Sequence, residues 1–381
     1  MVLLISKKDY ARVGYLLAKS LNKVGIHAIS TTKEMSPRHH NREQSRIYTN
    51  KNKLLKLTRQ ANTIVYMHSI LTPITNVRRA AKIFVFHGGS IYRRKYYEKN
   101  KVFNNIVDAS IIQTGELLGL GAVNEQWLLP PVDTELIQPK FGIHKSITIA
   151  HYPSNKRKPE HDIKGTLSIN SVINKLKKIP NLNFKYMHKD AFAVTPRVSW
   201  KRNLRRMSRC DIYIESLNID STSGNQHDWS LTALEAAALG KIVITNFRNQ
   251  QRYEKEYGEC GLLVANSKKE LENILLKLIH SSPEQLIELQ RKTRKWVETH
   301  HSLKAIGLRF KKIIKNTHKR TSNPTIIPDR NNIYKKVPNS SLIRRKRLHN
   351  ATQIQGRRIH NNTLSPSITP PRKHKQERAA G

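Results

Sequence analysis

The sequence predicts an α/β chain built from two doubly wound parallel-sheet domains that face a central cleft, with a basic tail behind them. Three observations predict it: short strands apolar on both faces, helical spacings between them, and a proline-rich break midway after which the same alternation restarts. At 381 residues the chain is about twice the usual length of one domain.

Residues 2–5, VLLI, read as the first strand, and Val13, Leu16, Leu17, Leu21 and Val24 then recur at helical spacing until Gly25 stops the helix. A Lys- and Leu-rich helix near 51–60 follows, with strands TIVYM at 63–67, KIFVF at 82–86 and ASIIQ at 109–113. The segment LLPPVDTELIQP at 128–139 carries three prolines and reads as the interdomain link. A second series runs through SITIA (146–150), a helix from about Gly165 to Lys178, NFKYM (183–187), DIYIE (211–215), a helix ending near Leu239, KIVIT (241–245) and GLLVA (261–265). Helices at about 267–280, 283–298 and 303–316 close the ordered part. The boundaries expected are 1–140 and 141–302 for the two domains, 303–318 for a closing helix, and 319–381 for a disordered tail rich in Asn, Ser, Thr, Pro and clustered base such as RRKR at 344–347.

Charge narrows the partners. With 69 Lys+Arg against 27 Asp+Glu the net charge is +42, and the tail accounts for only +13 of it, 15 basic residues against 2 acidic. The excess runs through the whole chain and favours a polyanionic neighbour: nucleic acid, an acidic glycopolymer or an anionic membrane face. Cys210 and Cys260 are too few for a disulfide framework or a zinc site and suggest a reducing compartment. No apolar run approaches the ~18 residues of a membrane span. A cytoplasmic protein, peripheral to a membrane at most, is expected.

Several linked motifs then point to a family. HYPSNKRKPEHDIKGT (151–166), LPPVDTELIQP (129–139) and WSLTALEAAALGKIVIT (229–245) stand in the order and at the separations seen in GT-B glycosyltransferases. The chain resembles in particular their family-4-type, retaining members. FHGGSIYRR (86–94) and SKKDYARVGYLLAKSLNKVGIHA (6–28) resemble the amino-terminal domain of those enzymes, so the resemblance covers roughly residues 1–316. It implies two Rossmann-like domains, acceptor-binding in 1–140 and nucleotide-sugar-binding in 141–302, that move a sugar from an activated donor to an acceptor.

The residues support a matching chemistry. A nucleoside diphosphate leaving group gathers negative charge on its phosphate oxygens, which cations and helix amino termini stabilise. Lys164 precedes Gly165 at a helix start, where glycine lets backbone approach phosphate closely, and either Lys156 or Arg157 would add a second charge. The plain alternative is that all three are solvated loop cations. The resemblance assigns Lys164 and one of the loop pair to the diphosphate. Glu235 lies in the apolar helix segment LTALEAAAL, where a carboxylate is costly to bury unless it meets two ribose hydroxyls or an internal cation; the resemblance implies the ribose.

Eight positions before Glu235 the family pattern has an acidic residue that contacts the donor sugar, and here the position is His227, with Asp228 beside it. The backbone amides of Trp229, Ser230 and Leu231, at a helix start, would serve as anion donors whatever their side chains. The resemblance makes His87, on the cleft-facing loop after a strand, a catalytic contact to the donor sugar, with Gly88 and Gly89 giving the backbone room. Arg93 and Arg94 would face the acceptor or add surface charge. No Asp-x-Asp metal signature occurs, and no metal or cofactor is expected beyond the nucleotide-sugar co-substrate.

Three functions are carried forward: a glycosyltransferase acting on a cell-surface polysaccharide or another glycoconjugate, a DNA-modifying glycosyltransferase, and a catalytically inactive basic protein that binds nucleic acid or another polyanion.

Overall fold

The computed structural model describes residues 1–34, 45–48, 51–70, 81–153, 162, 164–188, 199–218 and 228–319. Lys156, Arg157, His227 and the tail from Arg320 lie outside the described residues.

The apolar runs become strands of two parallel sheets. In the first, β1 (Val2–Lys8), β2 (Ala28–Glu34), β3 (Arg46–Ile47), β4 (Thr63–Tyr66), β5 (Lys82–His87), β6 (Ala109–Ile112) and β7 (Glu125–Trp127) take the order β3-β2-β1-β4-β5-β6-β7. In the second, β8 (Ile147–His151), β9 (Phe184–His188), β10 (Ile212–Ser216), β11 (Ile242–Thr245) and β12 (Leu263–Val264) take the order β12-β11-β10-β8-β9. Strand order reverses beside β1 in the first sheet and between β8 and β10 in the second. Such switch points open crevices at the carboxyl ends of the strands, where doubly wound sheets take ligands. The architecture is the doubly wound pair read from the sequence.

Helices α1 (Val13–Lys23), α2 (Lys51–Gln60), α3 (Gly89–Phe103), α4 (Thr166–Leu176), α5 (Trp200–Met207), α6 (Leu231–Ala238), α7 (Gln250–Tyr257), α8 (Lys268–Ile279), α9 (Pro283–His301) and α10 (Leu303–Asn316) connect and cover the sheets. None of the described helices is long and apolar enough to cross a membrane. Helix α9 starts at a capping box, Ser282 with Gln285, with Pro283 in its first turn, and runs three residues past the expected end, to His301.

The link between the sheets is bound tightly. Arg294 of α9, 7 % exposed, donates to the carbonyls of Thr134 and Ile137, each at 2.7 Å, and to that of Ala238 at the end of α6. Lys19 of α1 pairs with Asp133 at 2.8 Å. Trp127, Trp229, Tyr253, Tyr257, Trp296 and His301 pack ring against ring beside this link. Helix α10 then returns to lie against α1, and Lys82 at the start of β5 donates to the Ile314 carbonyl.

Candidate active site

At the switch point of the second sheet, β8 ends in His151, which is fully buried. A carbonyl only accepts, so His151 Nδ1 donates to Ile214 O at 2.8 Å, which leaves Nε2 to accept from Thr166 Oγ1 at 3.0 Å. Burial pushes the imidazole down to about 4 and keeps it neutral. Thr166 opens α4, and Gly165 before it holds a left-handed conformation with φ of 64°. A β-carbon on Gly165 would lie 1.8 Å from the Leu217 carbonyl oxygen, so only glycine fits. Leu217 N in turn donates to Lys164 O at 2.9 Å. The Lys164–Gly165 pair is thus clamped against the end of β10.

Lys164 projects into a buried polar cluster. Its ammonium pairs with Glu215 on β10 and lies 3.3 Å from Ser230 Oγ, which also donates to Glu215. Burial alone would push Glu215 up, but the Lys164 charge and hydrogen bond, together with the hydrogen bond from Ser230, more than offset it and hold the carboxyl below its ordinary value. Ser230 is the N-cap of α6, accepting from Thr232 N at 3.4 Å. Three chain segments spread over 66 residues of sequence therefore meet around one ammonium, beside the amino terminus of α6. Trp229 is turned into the aromatic cluster, Ser230 enters the Lys164 cluster through its hydroxyl, and Leu231 is the first residue of the helix. Glu235, one turn further, is 8 % exposed and accepts a hydrogen bond from the Trp200 indole at the start of α5.

The expected first-sheet residues are placed less uniformly. His87 closes β5 with no exposed surface, its ring stacked 4.0 Å from that of Tyr92 and its Nδ1 2.9 Å from Ser69 Oγ. Burial, with the Lys99 charge, pushes it down to about 3. The ring therefore lies inside the core and not on the loop surface, because β5 stays paired with β6 through His87 and Ile112. What reaches solvent is Gly89, at φ of 70°, where an added β-carbon would meet nothing. Gly88 is closely covered: a β-carbon there would fall 1.9 Å from Gln113 Oε1. Arg93 is paired inside the fold with Glu116, and Arg94 is exposed.

Asp228 has a cross-sheet role. It accepts from Arg248 N at 3.2 Å and Asn249 Nδ2 at 2.8 Å, and burial together with the neighbouring Glu116 charge pushes it up to about 6. Glu116 belongs to the turn after β6, and a β-carbon on Gly115 would lie 3.1 Å from Asp228 Oδ2. Arg93, Glu116 and Asp228 thus bring charges from the carboxyl ends of both sheets close together, with the two carboxylates opposing each other.

Sequence reasoning missed Glu215, His151 and Thr166, although an acid closing the apolar run DIYIE was a visible signal. It also missed Asp9. Buried at the end of β1, Asp9 accepts from Gly14 N (2.8 Å), Tyr15 N (2.9 Å) and Ser45 Oγ (2.7 Å), with His68 Nε2 at 3.4 Å. Burial opposes its charge, but His68, Ser45 and Tyr15 outweigh that and keep the carboxyl low.

No protein-family model matches the chain, and no curated protein matches it in sequence. Among solved structures it is similar to an alpha-glucosyltransferase in complex with UDP and a 13-mer DNA containing a central A:G mismatch, with TM-score 0.55 and 12% identity over 83% of this chain and 99% of that one. It is similar to sucrose-phosphate synthase from Thermosynechococcus elongatus, with TM-score 0.52 and 13% identity over 82% of this chain and 98% of that one. A glycosyltransferase from Rickettsia africae gives TM-score 0.52 and 13% identity over 83% and 98% of the two chains. At these identities the likeness is one of fold, and the fold is the GT-B arrangement.

Proposed function

We propose that the chain is a glycosyltransferase that moves a sugar from a nucleoside diphosphate sugar to an acceptor. The observation that carries this reading is the Lys164 cluster: a cation held beside two helix starts, at the switch point of the second sheet, on a left-handed glycine turn packed against the end of β10.

In this reading Lys164 and either Lys156 or Arg157 neutralise the charge that develops on the departing diphosphate, and the backbone of Trp229–Leu231 adds N–H donors. Glu235 receives the ribose hydroxyls, with the Trp200 indole holding its carboxylate in place. Lysine and arginine do the charge work of a divalent ion, and the sugar is transferred with retention. His87, enclosed as it is, supports the Gly88–Gly89 turn, and the exposed Gly89 backbone is what the donor sugar meets. His227 stands where the usual acidic contact does and bears on which sugar is accepted, while the Asp228 carboxylate is held on Arg248 and Asn249.

The acceptor is a cell-surface polysaccharide or similar glycoconjugate, and the net charge of +42 holds the enzyme at the anionic membrane or polymer where it is made. The same charge favours a second reading, transfer to DNA, and a solved neighbour of the same fold carries a DNA strand and UDP. Label transfer to hydroxymethylated DNA, against transfer to lipid-linked glycans, separates the two.

The test of the donor site is thermal stabilisation by a panel of UDP-, GDP-, ADP- and dTDP-sugars, with Lys164→Ala and Glu235→Ala each measured against its own ligand-free baseline. A ligand at 100 times its Kd adds about 2.7 kcal/mol. One nucleotide class is expected to stabilise the wild type and neither variant. Stabilisation by none of them overturns the reading and leaves a basic polyanion-binding protein.

A further inference from the structure

Arg12 has no role in the site above, and its surroundings are unusual. It follows β1 as the N-cap of α1, in a left-handed conformation at φ of 60°. The residue is 6 % exposed, its guanidinium lies 4.8 Å from the Tyr15 ring centroid, and its Nε has no hydrogen-bond partner. Among the described residues no acid pairs with it. Asp9 is the nearest acid in sequence, but its two oxygens are already taken by Gly14, Tyr15, Ser45 and His68. Arginine does not neutralise itself by losing a proton, so a fixed positive charge is buried without a counter-ion among the described residues, an arrangement that is costly unless an anion completes it.

The position supplies a second, independent pointer. Six non-glycine residues among those described have positive φ, and four of them, Ala11, Arg12, His68 and Ser69, sit together where β1 and β4 end. Those strands flank the place where the order of the first sheet reverses, the crevice that such sheets offer to ligands. Strained backbone that persists at one spot marks a site held in shape for binding.

We infer that Arg12 is an oxyanion-binding residue of the acceptor site, and that the acceptor carries a phosphate ester or a carboxylate. The planar guanidinium fork matches the paired oxygens of either group. The word acceptor rests on the transferase reading; the oxyanion site at Arg12 does not.

Calorimetric titration of the full chain with inorganic phosphate, at fixed ionic strength and with UDP present to fill the donor site, reads Arg12 directly. Phosphate is expected to bind the wild type and to bind Arg12→Gln at least tenfold more weakly, while Lys292→Gln, which removes a 69% exposed charge from α9, changes nothing. Equal affinity in wild type and Arg12→Gln overturns the inference, and so does an equal loss in Lys292→Gln, since general charge would then explain it. If Arg12→Gln does not fold, Arg12→Lys keeps the charge without the fork and is expected to bind phosphate more weakly than wild type; unchanged binding counts against the site. Turnover with glucose, glucose 6-phosphate and glucuronate then distinguishes the anion's source. One charged acceptor is expected to be preferred in kcat/KM, and Arg12→Gln to bring it to the level of glucose with UDP affinity unchanged. Preference for glucose over both charged acceptors refutes the acceptor assignment. Failure of every nucleotide of the panel to bind sinks the transferase reading alone, and the phosphate titration still decides Arg12.

Discussion

Replacing Lys164 by Met leaves the Glu215 carboxylate, 2 % exposed, without its cation. Breaking a buried ion pair from one side costs about 3–5 kcal/mol, because the remaining charge stays desolvated. Ser230 still donates to Glu215, which places the expected loss toward the lower end, near 3 kcal/mol at pH 7. The pH dependence follows from the carboxyl. In the wild type it sits below 4.5, so its contribution is present above 4.5 and is lost as pH falls through the lower folded value. Without Lys164, burial becomes the dominant influence and lifts the folded value above 4.5, so the deficit is full at pH 7 and shrinks as pH falls toward 4.5. Urea denaturation of both proteins between pH 7 and pH 4.5 measures this, and Lys164→Met/Glu215→Leu is expected to recover most of the loss. A deficit under about 1 kcal/mol at pH 7, or one that does not change with pH, refutes the buried pair.

Gly165→Ala drives a β-carbon into the Leu217 carbonyl at a φ that disfavours alanine, and a loss of about 3 kcal/mol or more in the same assay is expected; a loss below 1 kcal/mol would mean that the clamp yields. His87 and His151, pushed by burial to about 3 and about 4, bind fewer protons folded than unfolded below 6.5. Stability is therefore expected to be full above pH 6.5 and to fall on acidification toward pH 4, with a shallower fall in His87→Phe, as thermal unfolding across that range would show. Asp228, raised to about 6, stabilises below its ordinary value of 3.8 and loses that contribution as pH rises through 6. Asp228→Asn should accordingly gain on the order of 1 kcal/mol relative to wild type at pH 7.5 and less at pH 5, and an equal effect at both would exclude repulsion from Glu116.

Much of the fold was legible in the chain. Runs such as VLLI, KIFVF and KIVIT are apolar on both faces, and parallel strands buried under helices require that and little else. Strand β2 escaped notice because it is polar: Thr31 and Thr32 are buried, and Thr31 Oγ1 satisfies itself on Leu4 O at 3.2 Å across the sheet. Helices α5 and α7 escaped because WKRNLRRM and QQRYEKEY carry too few apolar residues to show a stripe. In the candidate site, Lys164, Gly165, Ser230 and Glu235 were marked by local pattern: a cation and a glycine at one helix start, a cap and a lone acid in an apolar helix at another.

Composition and periodicity by themselves determined that the chain makes two parallel sheets, where the first series gives way to the second, and that the chain as a whole is strongly basic. Only the tertiary structure decided which charges are answered and which are not. Glu215 meets Lys164 across 51 residues, Asp228 reaches Glu116 from the other sheet, His87 turns inward onto Tyr92, and Arg12 is enclosed with no acid paired to it among the described residues. Periodicity records only which face of an element is buried, which is a local property; the partner of a buried charge is set by which strand ends the topology brings together, and that is settled only when the sheets have assembled.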